Sequence, residues 1–174
     1  MVTKAWVRVN GSLAAVIFMI ALAAASPASA SGLLYVNRCA GGCTVTPGVD
    51  NAIAGTSIIP NSMSNLSAFA HGDAVFSATV TCLRSLFARY DVDVITTNPG
   101  AVARREMMLA GTAAQLGQPA GVPGVAPSGS STDNRIAFAF ANDIGAARTS
   151  CAGSQLRNWG NSMASSPNTT ARTS

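Results

Sequence analysis

Charge is the first thing this chain is short of. Of its 174 residues only 10% are Asp, Glu, Lys or Arg, against about 25% in an ordinary soluble domain. Its surface therefore relies on Ser, Thr, Asn and Gly for solvation. There is one histidine, His71, and one glutamate, Glu106. A catalytic zinc needs about three protein ligands, most often histidines, and an acid to handle the proton of the attacking water. A lone histidine cannot build that site, and the remaining acids, Asp50, Asp73, Asp91, Asp93, Asp133 and Asp143, are scattered without ligand spacing. No catalytic, cofactor-binding or metal-binding residue is assigned, and no cofactor is expected in this chain. Aromatic residues make up 6%, and basic residues meet them only at Arg84, Phe87, Arg89 and Tyr90. Part of the net charge of +4 sits near the two ends. Nucleic acid is therefore not expected as a partner. Ser130 and Ser131 lack the G-x-S-x-G elbow of a serine hydrolase, and the glycine-rich residues 111–129 lack a P-loop lysine.

What is present starts with an export signal over residues 1–30. Lys4 and Arg8 form a positive leader, residues 13–25 are apolar without a charge, and Ala28-Ser29-Ala30 is a small-x-small cleavage site. Cleavage is expected between Ala30 and Ser31. The apolar run is shorter than the roughly 20 residues of a membrane span. A secreted or periplasmic protein with no stable membrane anchor after cleavage follows. In that compartment the four cysteines, Cys39, Cys43, Cys82 and Cys151, favour disulfides. Their spacing lacks the paired C-x-x-C knuckles of a structural zinc site. The preferred pairing is Cys39 with Cys43, across Ala40-Gly41-Gly42, and Cys82 with Cys151.

The rest of the chain gives one domain over residues 31–146 and a polar tail over 147–174. Residues 33–38 read as a buried first strand, and Thr44 to Thr46 as a short returning strand. Residues 51–69, with Pro60 inside, read as an irregular surface excursion. Residues 73–88 carry apolar strips at helical spacing, with Asp73 as the expected N-cap and Arg84 and Arg89 near the end. Val92 to Thr97 is β-rich, which predicts one crossover against the first strand. Residues 106–110 are ambiguous between helix and strand. Residues 111–131 read mostly as loop. Residues 135–141 alternate Ile136, Phe138 and Phe140 with alanines, a strand signature that leaves room for close packing on the alanine face. The tail is too polar to offset its ordering entropy and is expected to be disordered. The predicted fold class is α+β: a small twisted mixed β-sheet with one main helix packed on it, irregular Gly/Pro loops and a disordered C-terminal tail. Weak patterns remain: Asn65-Leu66-Ser67 and Asn168-Thr169-Thr170 match glycosylation acceptors, and Asp91 and Asp93 share one strand face.

The order of these pieces resembles secreted bacterial zinc metallopeptidase-like proteins of metzincin type. The resemblance rests on Leu34-Tyr35-Val36-Asn37-Arg38, Thr46-Pro47-Gly48-Val49-Asp50-Asn51-Ala52, Phe69-Ala70-His71-Gly72-Asp73, Tyr90-Asp91-Val92-Asp93-Val94, Gly121-Val122-Pro123-Gly124-Val125-Ala126-Pro127 and Ile136-Ala137-Phe138-Ala139-Phe140-Ala141. In that family a helix after the last strand carries a glutamate and zinc-binding histidines in an E-x-x-H-x-x-G-L pattern. This chain lacks such a helix. Read one frame over, Asn158-Trp159 must give Leu, while Trp159-Gly160 and Met163-Ala164 must each give Gly. Permissive codons elsewhere give a string that resembles the missing helix, although Gly160-Asn161 cannot encode His in that frame. The tail is therefore expected to be out of frame. The resemblance implies an exported, truncated, catalytically inactive relative of a zinc metallopeptidase, zinc belonging only to the full-length family. The alternative is a small disulfide-linked secreted binding or structural domain. Without its covering helix, the apolar face of residues 136–141 is expected to be exposed, marginally stable and open to self-association. Substrate and partner are unknown from the sequence.

Overall fold

Alternating apolar runs become strands here because their two faces meet two different covers. In the computed structural model, which describes residues 32–128 and 134–149, β1 is Gly32–Asn37. It is followed by β2 (Cys43–Pro47), β3 (Thr56–Ser57) and β4 (Ser64–Leu66). Helix α1, Gly72–Phe87, then leads to β5 (Val92–Ile95) and β6 (Arg105–Leu109). A 3₁₀ turn at Ala114–Leu116, β7 (Gly124–Val125) and β8 (Ile136–Ala139) come next, and two short helices, α2 (Ala141–Ile144) and α3 (Ala146–Thr149), close the described chain.

The main sheet has the order β5-β1-β6-β8-β7. β5, β1, β6 and β8 are parallel, with Leu34 opposite Val94 and Arg105, and Glu106 opposite Ile136. β7 joins the edge antiparallel to β8. A second sheet has the order β3-β2-β4. The fold is thus a small α+β domain with mixed sheets and one main helix.

One core lies between α1 and the sheet: Phe76, Val80, Leu83 and Phe87 pack on Leu34, Val36, Val92, Val94, Met107, Leu109 and Ala139. The alanine face of β8 admits this close packing, as the sequence suggested. The second core lies on the opposite face, where Met108, Ile136, Phe138 and Phe140 meet Val45, Ala52, Leu66, Ala113 and Leu116. β8 is therefore buried on both sides, and Phe138 and Phe140 are fully inaccessible. The expected exposed strand face is not found. Residues 45–66 and the 3₁₀ turn cover it, so the excursion that read as irregular surface supplies Ala52 and Leu66 to a core.

One open reading is resolved, one holds and one is corrected. Residues 106–109 belong to strand β6, whose side chains are buried; burial on both faces removes the alternation that would have marked a strand. Residues 111–128 are mostly loop, as expected, with the 3₁₀ turn and β7 set inside them. The N-cap of α1 is His71 and makes no side-chain capping bond, while Asp73 sits in the first turn and pairs with Arg38 instead. Both members of that pair are exposed, so it adds little stability. The described fold runs to Thr149, which is buried against Thr79 of α1 at 3.0 Å. The signal, the Ala30–Ser31 junction, Asp133, Cys151 and the rest of the tail lie outside the described residues. No helix among the described residues is long and apolar enough to cross a membrane.

Candidate functional site

Glu106 is the only glutamate of the chain, and the strand register decides what it can do. It enters the sheet at the start of β6, opposite Tyr35 of β1 and Ile136 of β8. Its side chain is almost wholly withdrawn from water and meets Arg104, with 3.2 Å between Nη2 and Oε2. Asn37, two residues along β1 from Tyr35 and hence on the same face, donates Nδ2 to Oε1 at 2.8 Å. Burial pushes the Glu106 carboxyl above the ordinary range; the Asn37 hydrogen bond and the Arg104 charge pull it back only in part. Tyr35 is also raised, first by burial and then by the Glu106 charge, with Arg104 opposing.

Arg104 is a clamp more than a catalytic group. Its guanidinium donates to the carbonyls of Gly100 at 2.7 Å and Ala52 at 3.0 Å. It also lies 5.5 Å from the centre of the Tyr35 ring, within cation–π range. Its backbone exchanges hydrogen bonds with Asn134, which in turn accepts from Ala52 N. Three separated segments of chain thus meet at one side chain. The sequence signal for this cluster was present but faint: Arg104 and Glu106 are two charges at strand spacing beside the apolar run Met107-Met108-Leu109.

His71 lies at the other end of the sheet, beside the carboxyl ends of the parallel strands, where open α/β sheets bind ligands. Its Nε2 is 2.7 Å from the Ala141 carbonyl. A carbonyl only accepts, so Nε2 is the donor in this contact. The polar groups around it pair with one another. Asn142 accepts from Ala70 N and donates to Ala68 O and Ser67 Oγ. Gln115 accepts from Ser67 N and Thr112 N, and Asp143 accepts from Ala113 N at 2.6 Å. Ala141 lies beyond the end of β8, whose first residue Ile136 is the register partner of Glu106; the three strand steps from Ile136 to Ala139 alone put roughly 10 Å between the two groups at about 3.3 Å per residue. The residues present do not fit a hydrolytic zinc: Glu106 is far from His71 and occupied by Arg104, and among the described residues no three His, Cys, Asp or Glu side chains converge.

Two clefts flank this framework. One, of about 410 Å³, lies against edge strand β5 and is lined by Leu33, Arg84, Tyr90, Asp93 and Ile95. The other, of about 330 Å³, lies between the 3₁₀ turn and α2, with Asp143 on its wall. Arg84 donates to Val94 O at 3.2 Å and so occupies part of the β5 edge.

The cysteines follow the expected pairing as far as the described residues reach. Cys39 and Cys43 form a disulfide. Cys82 is disulfide-bonded as well, and Cys151, its expected partner, lies outside the described residues. Compared with protein-family models, with curated proteins and with solved structures, the chain matches none.

Proposed function

We propose that this chain is an exported, catalytically silent relative of secreted metzincin-type metallopeptidase-like proteins, working as a disulfide-tied scaffold rather than as a hydrolase. The observation that carries this reading is the separation of its only glutamate from its only histidine. A general base must stand within hydrogen-bond reach of the water it activates, and Glu106 is held at the opposite end of the sheet from His71. Each has a structural task instead: Glu106 neutralises the Arg104 clamp, and His71 satisfies the Ala141 carbonyl. A disulfide at Cys39–Cys43 is compatible with an oxidising, extracytoplasmic compartment.

The test uses exported mature protein. N-terminal sequencing is expected to read from Ser31. Zinc is expected to bind no tighter than about micromolar, some −8 kcal/mol, and peptide hydrolysis to stay at background. Stoichiometric peptidase activity abolished by a chelator would overturn the proposal.

A second reading, a disulfide-linked binding domain with no peptidase ancestry, is favoured by one observation. The large hydrophobic side chains exposed among the described residues, Val49, Ile53, Ile58, Met63 and Val102, lie between β2 and β4 and in the β5–β6 crossover rather than scattered over the surface. Sequencing the downstream DNA separates the two: a metallopeptidase helix encoded in an adjacent frame favours the first reading, and its absence in every frame favours the second.

A further inference from the structure

The Cys39–Cys43 bridge stands at a corner of the fold. Cys39 follows β1 of the main sheet, and Cys43 is the first residue of β2 in the small sheet. The bond therefore ties one sheet to the other. The link between them is wound tightly: Gly41 and Gly42 have φ of 86° and 96°, and Cys39, which has a Cβ, has φ of 51°. A non-glycine residue pays a steric cost there. A loop this short also gains little from closure, because the entropy removed from the unfolded chain grows with loop length. Cys39 Sγ belongs to a buried residue, whereas Cys43 is half-buried and residues 40–42 are exposed. Asn37 reads the state of the bond. Its Oδ1 accepts from Cys39 N at 2.8 Å, and its Nδ2 lies 3.5 Å from Cys43 Sγ and 2.8 Å from Glu106 Oε1.

We propose that Cys39–Cys43 is a reversible redox latch, opened by a dithiol reductant, that sets how tightly the β2–β4 sheet is held on the main sheet. The reductant's thiolate attacks the accessible Cys43 sulfur. The protein S–S bond breaks, its electron pair goes to Cys39 Sγ, and that thiolate takes a proton from solvent. The second thiol of the reductant then displaces Cys43 as a thiolate, stabilised by donation from Asn37 Nδ2, and the reductant departs as its own disulfide. Two electrons pass in total, as in any thiol–disulfide exchange. Opening frees Cys39 to leave the left-handed region and releases the Asn37 bond to its backbone. The second hydrophobic core stays in place, so the small sheet loosens without unfolding.

The experiment is a dithiothreitol titration of the mature exported protein, with released thiols alkylated and mapped by mass spectrometry. Cys39 and Cys43 are expected to open at dithiothreitol concentrations at least about tenfold below those that release Cys82. After selective opening, amide exchange over residues 43–66 is expected to quicken at least about tenfold, while residues 72–87 change less than about twofold. The Cys39→Ser/Cys43→Ser double variant should reproduce the exchange pattern without reductant. Asn37→Ala should slow opening severalfold, because the departing Cys43 thiolate loses its donor; opening at the parent rate would overturn that donation. Simultaneous release of Cys82, opening only on global unfolding, or unchanged exchange over residues 43–66 after selective opening would each overturn the proposal.

Discussion

Arg104 and Glu106 form an ion pair whose two side chains are each less than a twentieth exposed, at 4% and 3%. The pair is asymmetric in what it supports. Glu106 has two partners, whereas Arg104 also satisfies the carbonyls of Gly100 and Ala52. Arg104→Met should therefore be the costly change, leaving an unpaired buried carboxylate and two carbonyls without donors. Removing one partner of a buried pair costs about 3–5 kcal/mol, and a loss of that order is expected in urea unfolding at neutral pH. A loss below about 1 kcal/mol would place this pair with ordinary surface contacts.

The raised carboxyl of Glu106 fixes a sign for pH dependence. A carboxyl that holds its proton more tightly when folded favours the native state while both forms are protonated. That advantage is lost as pH rises from the ordinary glutamate range through the folded value, because the unfolded chain ionises first. Carboxyl-carbon NMR should place Glu106 above the ordinary range. Asn37→Ala and Arg104→Met should each move it higher, since each removes a group that favours the charged form. A downward shift in either variant would contradict the assignment of causes.

Tyr35 offers an independent optical readout of the same cluster. Glu106 is one of the two causes that raise its phenol, and Arg104 opposes them. Neutralising the carboxylate in Glu106→Gln should thus lower the Tyr35 midpoint, followed by phenolate absorbance in a Tyr90→Phe background. An unchanged midpoint would mean that burial alone sets it.

How much of this was legible in the sequence depends on whether one residue's neighbours in the chain are also its neighbours in space. The helix Gly72–Phe87 was readable because its apolar strip repeats locally, and so was the Cys39–Cys43 bridge across three residues. β8 was readable from Ile136, Phe138 and Phe140, but its cover was not. That cover comes from Val45, Ala52 and Leu66, which sit among Ser, Asn and Gly and carry no period of their own. The ion pair was missed for a related reason: Arg104 gains its meaning from Ala52 and Gly100, and no local pattern announces a contact between residues 52 and 104.

Thr79 tests whether the last described helix belongs to the domain. Its Oγ1 lies 2.8 Å from Val75 O and 3.0 Å from Thr149 O, and both threonines are fully buried. Thr79→Val keeps the shape and removes the donor. The expected cost is about 1–2 kcal/mol, with faster amide exchange confined to α3, Ala146–Thr149. Unchanged exchange there would mean that α3 is held by something other than this hydroxyl.

Among the described residues, Gly111 and Gly124 are the two positions where a methyl group has nowhere to go, for different reasons. A Cβ on Gly124 would stand 2.5 Å from Phe138 O, so β7 must separate from β8 to admit it. β7 is a two-residue edge strand, but the contact is with backbone, so Gly124→Ala should cost about 1–3 kcal/mol, the overpacking range. Gly111 has φ of 63°, and a Cβ there would lie 2.8 Å from both Leu66 Cδ2 and Gln115 Oε1. Leu66 is wedged in the second core, and Gln115 holds the loop before α1 through Ser67. Neither neighbour can withdraw without opening a contact elsewhere. Gly111→Ala should therefore add a left-handed penalty of roughly 1–2 kcal/mol to an overpacking cost of about 1–3 kcal/mol. The two variants are compared by thermal and urea unfolding, and Gly111→Ala is expected to be the less stable; the reverse order would show that the corner joining the two cores is more compliant than its packing implies.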